Sequence, residues 1–107
     1  MNGKPIHKIL PVADDLDLAI LHYLTWRDDG EEHFLKKYNE TLDQIEYNPA
    51  AFPVKFDDVQ GAILERSYYI VYYVQEPKRS VVLAVLDGRR NPCSINRIVR
   101  ARKTFRR

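Results

Sequence analysis

The 107-residue sequence is poor in the residues that most enzyme and metal signatures require: it has one cysteine, four scattered glycines and three histidines. The lone Cys93 cannot close an internal disulfide and offers no zinc-type pair, so the chain reads as a protein of a reducing compartment, the cytoplasm, with no structural metal. Gly3, Gly30, Gly61 and Gly88 stand singly, each at an end or a turn. That excludes a phosphate-cradling glycine loop and the nucleotide hydrolysis that goes with it. No apolar run approaches the roughly 20 residues of a membrane span, and the first residues lack the hydrophobic stretch of a signal peptide. His7, His22 and His33 fall on three separate elements, none with a Cys, Ser or acid at a catalytic interval, so no catalytic residue is assigned. Helix capping and turn formation account for Asp14, Asp15, Asp17, Asp28 and Asp29 better than metal binding does, and no cofactor is expected.

What is present is a globular composition with an uneven charge. Apolar residues make up 45% of the chain and charged ones 30%, enough for one core, so residues 1–107 read as a single domain. The net charge of +2 conceals two unlike parts. Residues 1–88 carry nine Lys and Arg against all fifteen acids, a balance of −6, whereas residues 89–107 carry eight basic residues and no acid, a balance of +8. Such an end attracts acidic protein segments or phosphates. Residues 93–107 read as a basic tail or helix, and beyond Lys103 a merely solvated tail is an equal reading.

Hydrophobic periodicity supplies the elements. Residues 5–10, with Ile6, Ile9 and Leu10, form a short strand. Asp14 is a plausible N-cap for an amphipathic helix on Leu16, Ile20, Tyr23 and Arg27. Asp28-Asp29-Gly30 breaks it, and a second helix follows on Phe34, Leu35, Tyr38, Leu42 and Ile45, closing before Asn48-Pro49. So short a break makes residues 14–47 an antiparallel helical hairpin. Val54–Phe56 is extended, and residues 57–61 form a turn into a meander whose arms run over residues 62–75 and 80–86. In the Tyr-rich arm, Tyr69, Val71 and Tyr73 alternate with Tyr68, Ile70, Tyr72 and Val74. Both faces are apolar, so the strand is covered on two sides, or on one by helices and on the other by a partner chain. Asp87–Pro92 ends the sheet and displays Arg89 and Arg90. Ile95, Ile98, Val99 and Phe105 then allow a short helix with Arg97, Arg100 and Lys103 outward.

Arg66 belongs with Arg89 and Arg90 if the strands that carry them are neighbours. Three guanidinium groups at one sheet margin suit bidentate binding of carboxylate or phosphate. The competing reading is a surface pair bridging to Glu65 or Asp87. The tyrosines are more readily sheet packing than recognition.

Three stretches, Asn48-Pro-Ala-Ala-Phe-Pro53, Arg66-Ser-Tyr-Tyr-Ile-Val-Tyr-Tyr73 and Val82-Leu-Ala-Val-Leu-Asp-Gly-Arg-Arg-Asn-Pro92, occur in order between the expected elements. Over residues 5–92 the chain thereby resembles the RelE/ParE superfamily of toxins from bacterial type II toxin-antitoxin modules. The resemblance implies an α+β fold: an N-terminal strand, the helical hairpin, an antiparallel three-stranded meander and a short C-terminal helix. It also implies a cognate antitoxin that wraps the toxin in a hetero-oligomer, with Tyr69, Tyr73, Val82 and Ile95 as antitoxin contacts. Arg66, Arg89, Arg90, Arg97 and Arg100 would be the target-binding set. Superfamily nucleases usually place a Tyr or His near the C-terminus to activate the RNA 2′-hydroxyl, and this chain has neither after Tyr73. Asp87-Gly88 also replaces the family's His before the arginine pair. The resemblance therefore leans to the ParE-like side, with DNA gyrase as target. The alternatives are a ribosome-dependent mRNA endonuclease, with Arg66, Arg89, Arg90 and Lys55 on phosphate, and a basic nucleic-acid-binding module.

Overall fold

Eight regular elements and one short 3-10 turn make up the computed structural model, which describes residues 3–104. Phe105, assigned above to the last helix, lies outside the described residues. Strand β1 (Ile6–Lys8) leads into helices α1 (Pro11–Leu24) and α2 (Gly30–Tyr47), and the 3-10 turn Pro49–Ala51 follows. Strands β2 (Val54–Phe56), β3 (Val59–Ile63), β4 (Tyr69–Gln75) and β5 (Ser80–Asp87) come next, then α3 (Pro92–Thr104). The sheet order is β1-β5-β4-β3-β2, with β1 parallel to β5 and the other neighbours antiparallel.

The expected α+β architecture is present, with three local corrections. Helix α1 starts four residues earlier than the Asp14 cap implies, because Pro11 with its preset φ occupies the first turn. Asp14 instead supplies negative charge to that turn. The stretch 62–75 is two strands, not one arm: β3 ends at Ile63, and a turn through Arg66, at φ 54°, feeds β4. Glu65-Arg66-Ser67 is the polar interruption that ends the first strand. Val59–Gly61, read above as turn, pairs in β3, and the reversal is confined to Asp57-Asp58, with Asp57 at φ 50°. The short β2 adds a fifth strand beyond the meander.

The central strand is covered on both sides. Tyr69 packs against Tyr23 and Phe34 of the helical hairpin, with ring centroids 6.1 and 5.5 Å away. Tyr73 on the same face donates its hydroxyl to the Pro49 carbonyl at 2.5 Å and accepts a bond from Gln60 Nε2. The alternate residues Ile70, Tyr72 and Val74 are buried as well. Helix α3 is the remaining layer, buried through Ile95 and Val99 against β5.

Helix α3 is also tied at both margins of the sheet. Strand β1 pairs with β5 only as far as Val82, and the register shift opposite Tyr72/Tyr73 leaves Leu83 as an extra residue on β5. Beyond β1 this edge has no strand partner among the described residues. Val85 N–H there donates to Asp15 Oδ2 at 2.9 Å, and the Leu83 carbonyl accepts from Arg102 Nη1 at 3.1 Å. Asp15 and Arg102 bind each other at 2.5 Å, so one buried ion pair both caps the open edge and joins α1 to α3. On the opposite margin Arg100 binds Asp57 at 2.9 Å and Lys103 binds Asp58. The basic stretch Pro92–Thr104 is therefore a docked helix. No described helix is long and apolar enough to cross a membrane.

Candidate functional site

The turn between α1 and α2, the β3–β4 turn and the exit of β5 converge at one end of the molecule. Between them lies a cleft of about 270 Å³ lined by His22, Tyr23, Trp26, Arg27 and His33 on the helical side, and by Arg66, Ser67, Tyr68, Tyr69 and Arg89 on the sheet side. Arg66 and Arg89, 23 positions apart in sequence, meet here because β4 and β5 are neighbours and each residue sits at a strand end. Lys37 on α2 donates its ammonium group to the Glu65 carbonyl at 2.8 Å, pinning the turn that carries Arg66.

The cations of the cleft are unequally occupied. Arg89 binds Asp87 through Nε at 3.1 Å and Nη2 at 2.8 Å, and its guanidinium lies 4.0 Å from the centre of the Tyr68 ring. The hydrogen bonds from Arg89 hold the Asp87 carboxyl below its ordinary range and raise Arg89 in turn. Arg27 is paired likewise with Asp29, whose carboxyl the hydrogen bond lowers. Among the described residues the Arg66 side chain has no ion-pair or hydrogen-bond partner, although its carbonyl accepts from Lys37. Its left-handed backbone is an unfavourable conformation for a non-glycine residue, held here by the turn bond from Ser67 N–H to the Leu64 carbonyl at 3.1 Å.

The rest of the lining is aromatic. His22 lies 5.7 Å from Trp26 and 6.4 Å from Tyr69, centroid to centroid. Trp26 is 76% exposed and Tyr68 62%, so both rings are accessible at the rim. Desolvation lowers the pKa of His33, with the charges of Arg27 and Lys37 adding to the effect. Burial raises the Tyr69 phenol. The Ser67 hydroxyl accepts from Tyr23 Oη and from Tyr69 N–H, both at 3.0 Å, which employs it in shaping the turn. Chemically the cleft offers guanidinium donors for an anion beside aromatic surfaces for a flat ring.

The remaining predicted residues lie elsewhere. Arg90 lines a smaller depression of about 140 Å³ with Asp15, Leu18, Tyr69 and Arg102. Arg97 is exposed on α3, whereas Arg100 is engaged with Asp57 and its guanidinium stands 5.4 Å from the Phe56 ring. Lys55 is exposed on β2 and does not line the cleft. Tyr69 borders both depressions. Tyr73 and Val82 have no accessible surface and Ile95 is 5% exposed, so none of the three offers surface to a partner while α3 is docked. His22, Trp26, Arg27 and His33 were not anticipated as site residues. The available signal was their placement around the tight hairpin turn, His22 and Trp26 one helical turn apart and His33 just across the break.

No family model matches the chain, and no curated protein matches it in sequence. Among solved structures it is similar to a chain described as "Chromosomal ParDE TA system from P. aeruginosa", with a TM-score of 0.64 and 21% identity. The match covers 79% of this chain and 96% of that one, and it shows a shared fold.

Proposed function

We propose that this protein is the toxin of a type II toxin-antitoxin module, of the ParE-like kind, which inhibits growth by binding an essential target and is neutralised by a cognate antitoxin. The observation that carries this reading is the fold shared with nearly the whole of a chain from a ParDE system, on a sequence whose three ordered stretches resemble the RelE/ParE superfamily. DNA gyrase is the target the reading favours, contacted through Arg66, Arg89 and Arg90 with Arg97 and Arg100 beside them. Arg66, Arg90 and Arg97 have no ion-pair partner among the described residues and are the cations best able to accept one. The antitoxin contact falls to Tyr69 and to Leu18, Leu21 and Leu24, which share one exposed side of α1.

Expression of the protein with and without Arg89→Glu and Arg90→Glu tests the reading. The parent should arrest growth with DNA breaks and an SOS response, and the folded double variant should not. Retained toxicity in a folded double variant would remove these arginines from the target surface. Cuts inside translated codons without DNA damage would move the chain to the mRNA-endonuclease branch. Rescue by the product of a neighbouring reading frame encoding a small acidic DNA-binding protein would identify the antitoxin.

A further inference from the structure

We infer that the cleft between the helical hairpin and the β3–β4 turn is a binding site for a nucleoside monophosphate, with the base held among the aromatic side chains and the phosphate on Arg66. The inference does not rest on the toxin reading, although it shares Arg66 and Arg89 with the target surface proposed there: it concerns a ligand taken from solution and not a protein target.

Three observations carry it. The first is charge. Arg27 and Arg89 are each paired with an aspartate, whereas Arg66 has no side-chain partner among the described residues. Two cations are thus held in place by their own counter-ions and one is left for an incoming anion, which matches a single phosphate better than a polyphosphate. The second is shape. Trp26 and His22 form a helical wall, and Tyr68 with Arg89 stacked on it forms a sheet-side wall. A purine or pyrimidine has two π faces and binds such surfaces without needing an exact donor pattern. The cleft of about 270 Å³ is of the size of one nucleotide. The third is the backbone. Arg66 is held at φ 54°, with Lys37 bonded to the Glu65 and Arg66 carbonyls, so the free guanidinium is mounted on a braced, unfavourable turn. Strain retained at a cleft is the expected mark of a positioned binding group.

The sole tryptophan, Trp26, stands at the rim and reports occupancy directly. Titration of the full chain with AMP, excited at the red edge of indole absorption, should quench its fluorescence saturably. Adenosine alone and inorganic phosphate alone should each bind about tenfold more weakly or worse. Arg66→Ala and Tyr68→Ala should each weaken AMP binding about tenfold, with far-UV circular dichroism unchanged. Because Trp26 is not altered in either variant, loss of signal reads as loss of binding, and calorimetric titration of the same variants checks it. A short single-stranded oligoadenylate distinguishes the two sources of this chemistry. Equal or weaker binding than AMP on a per-site basis assigns the site to the free nucleotide, and tighter binding assigns it to the nucleotide unit of a strand. Absence of saturable binding at millimolar AMP, equal binding of phenyl phosphate, or AMP affinity unchanged in both variants would each overturn the inference. None of these outcomes bears on growth arrest by the intact protein, so the toxin reading is judged separately.

Discussion

Gly30 opens α2 where the chain reverses tightly, and a methyl group there would stand 2.7 Å from the carbonyl carbon of Tyr23 and 2.8 Å from the Leu24 nitrogen. Both are backbone atoms of α1, so no side chain can swing aside to make room. Gly30→Ala should therefore destabilise the protein by about 1–3 kcal/mol by prising the hairpin apart, even though alanine is the better helix former. Urea unfolding followed by circular dichroism measures it, and a parent-like midpoint would show that α1 yields. Asp15 gives a second test at this scale. Its carboxylate serves both Arg102 and the Val85 N–H, so Asp15→Ala strands a guanidinium and a backbone donor in a nearly closed site. The expected cost is about 3–5 kcal/mol. A double-mutant cycle with Arg102→Met should return a coupling of about 1–3 kcal/mol. Additive effects would mean that the two side chains hold the β5 edge independently.

At the scale of elements, what holds α3 in place can be decided by magnitude. Arg100 and Asp57 retain about half their side-chain exposure, 54% and 40%, so solvent screens the pair and it contributes little. Val99 is fully buried, and truncating such a side chain costs about 2 kcal/mol or more. Val99→Ala should therefore lower the unfolding midpoint far more than Arg100→Ala, and the Arg100 effect alone should shrink in molar salt. An Arg100→Ala loss equal to that of Val99→Ala would make the helix an electrostatic clasp instead. The same helix shows where sequence reading reached and where it stopped. The spacing of Ile95, Ile98 and Val99 announces an amphipathic helix, as Leu16, Ile20 and Tyr23 announce α1, because burial on one side leaves a periodic trace. What Arg100, Arg102 and Lys103 do is not periodic. Their partners Asp57, Asp15 and Asp58 lie 43 or more positions away and are brought close only by the sheet order. The +8 of the C-terminal residues therefore overstates the charge displayed, since four of the basic residues between Arg89 and Lys103 are already paired. The cleft was half legible for the same reason. Arg66 and Arg89 can be joined through neighbouring strands, but His22 and His33 lie on separate helices with no shared spacing, and only the hairpin geometry brings them to the arginines.

For the molecule as a whole, the clearest coupling between folding and solution conditions lies at alkaline pH. Burial pushes the phenols of Tyr38 and Tyr73 up to about 12 each. Tyr73 donates to the Pro49 carbonyl, whereas the Tyr38 hydroxyl is buried without a hydrogen-bond partner among the described residues. In the unfolded chain both ionise near the ordinary tyrosine value of about 10. The folded state keeps the proton, so this contribution is intact below pH 10. It declines as the unfolded phenols ionise and is exhausted as pH rises through the folded value near 12, by about 2–3 kcal/mol per tyrosine. The carboxyls act at the other end. Asp57 and Asp87 are lowered by their arginine partners, so what they contribute is present above the ordinary aspartate range and fades as pH falls through their folded values. Absorbance of phenolate during a pH jump should resolve the seven tyrosines into an immediate group and a slower group, which includes the buried Tyr38, Tyr72 and Tyr73 and appears with loss of circular dichroism. Replacing Tyr38 with Phe should remove one member of the slow group and, since no hydrogen bond is lost, leave neutral-pH stability within about 1 kcal/mol of the parent. Ionisation of all seven phenols in one immediate step, with the circular dichroism intact, would mean that the layer between α2 and the sheet admits hydroxide without unfolding. The two-sided burial of the central strand would then be less complete than its packing implies.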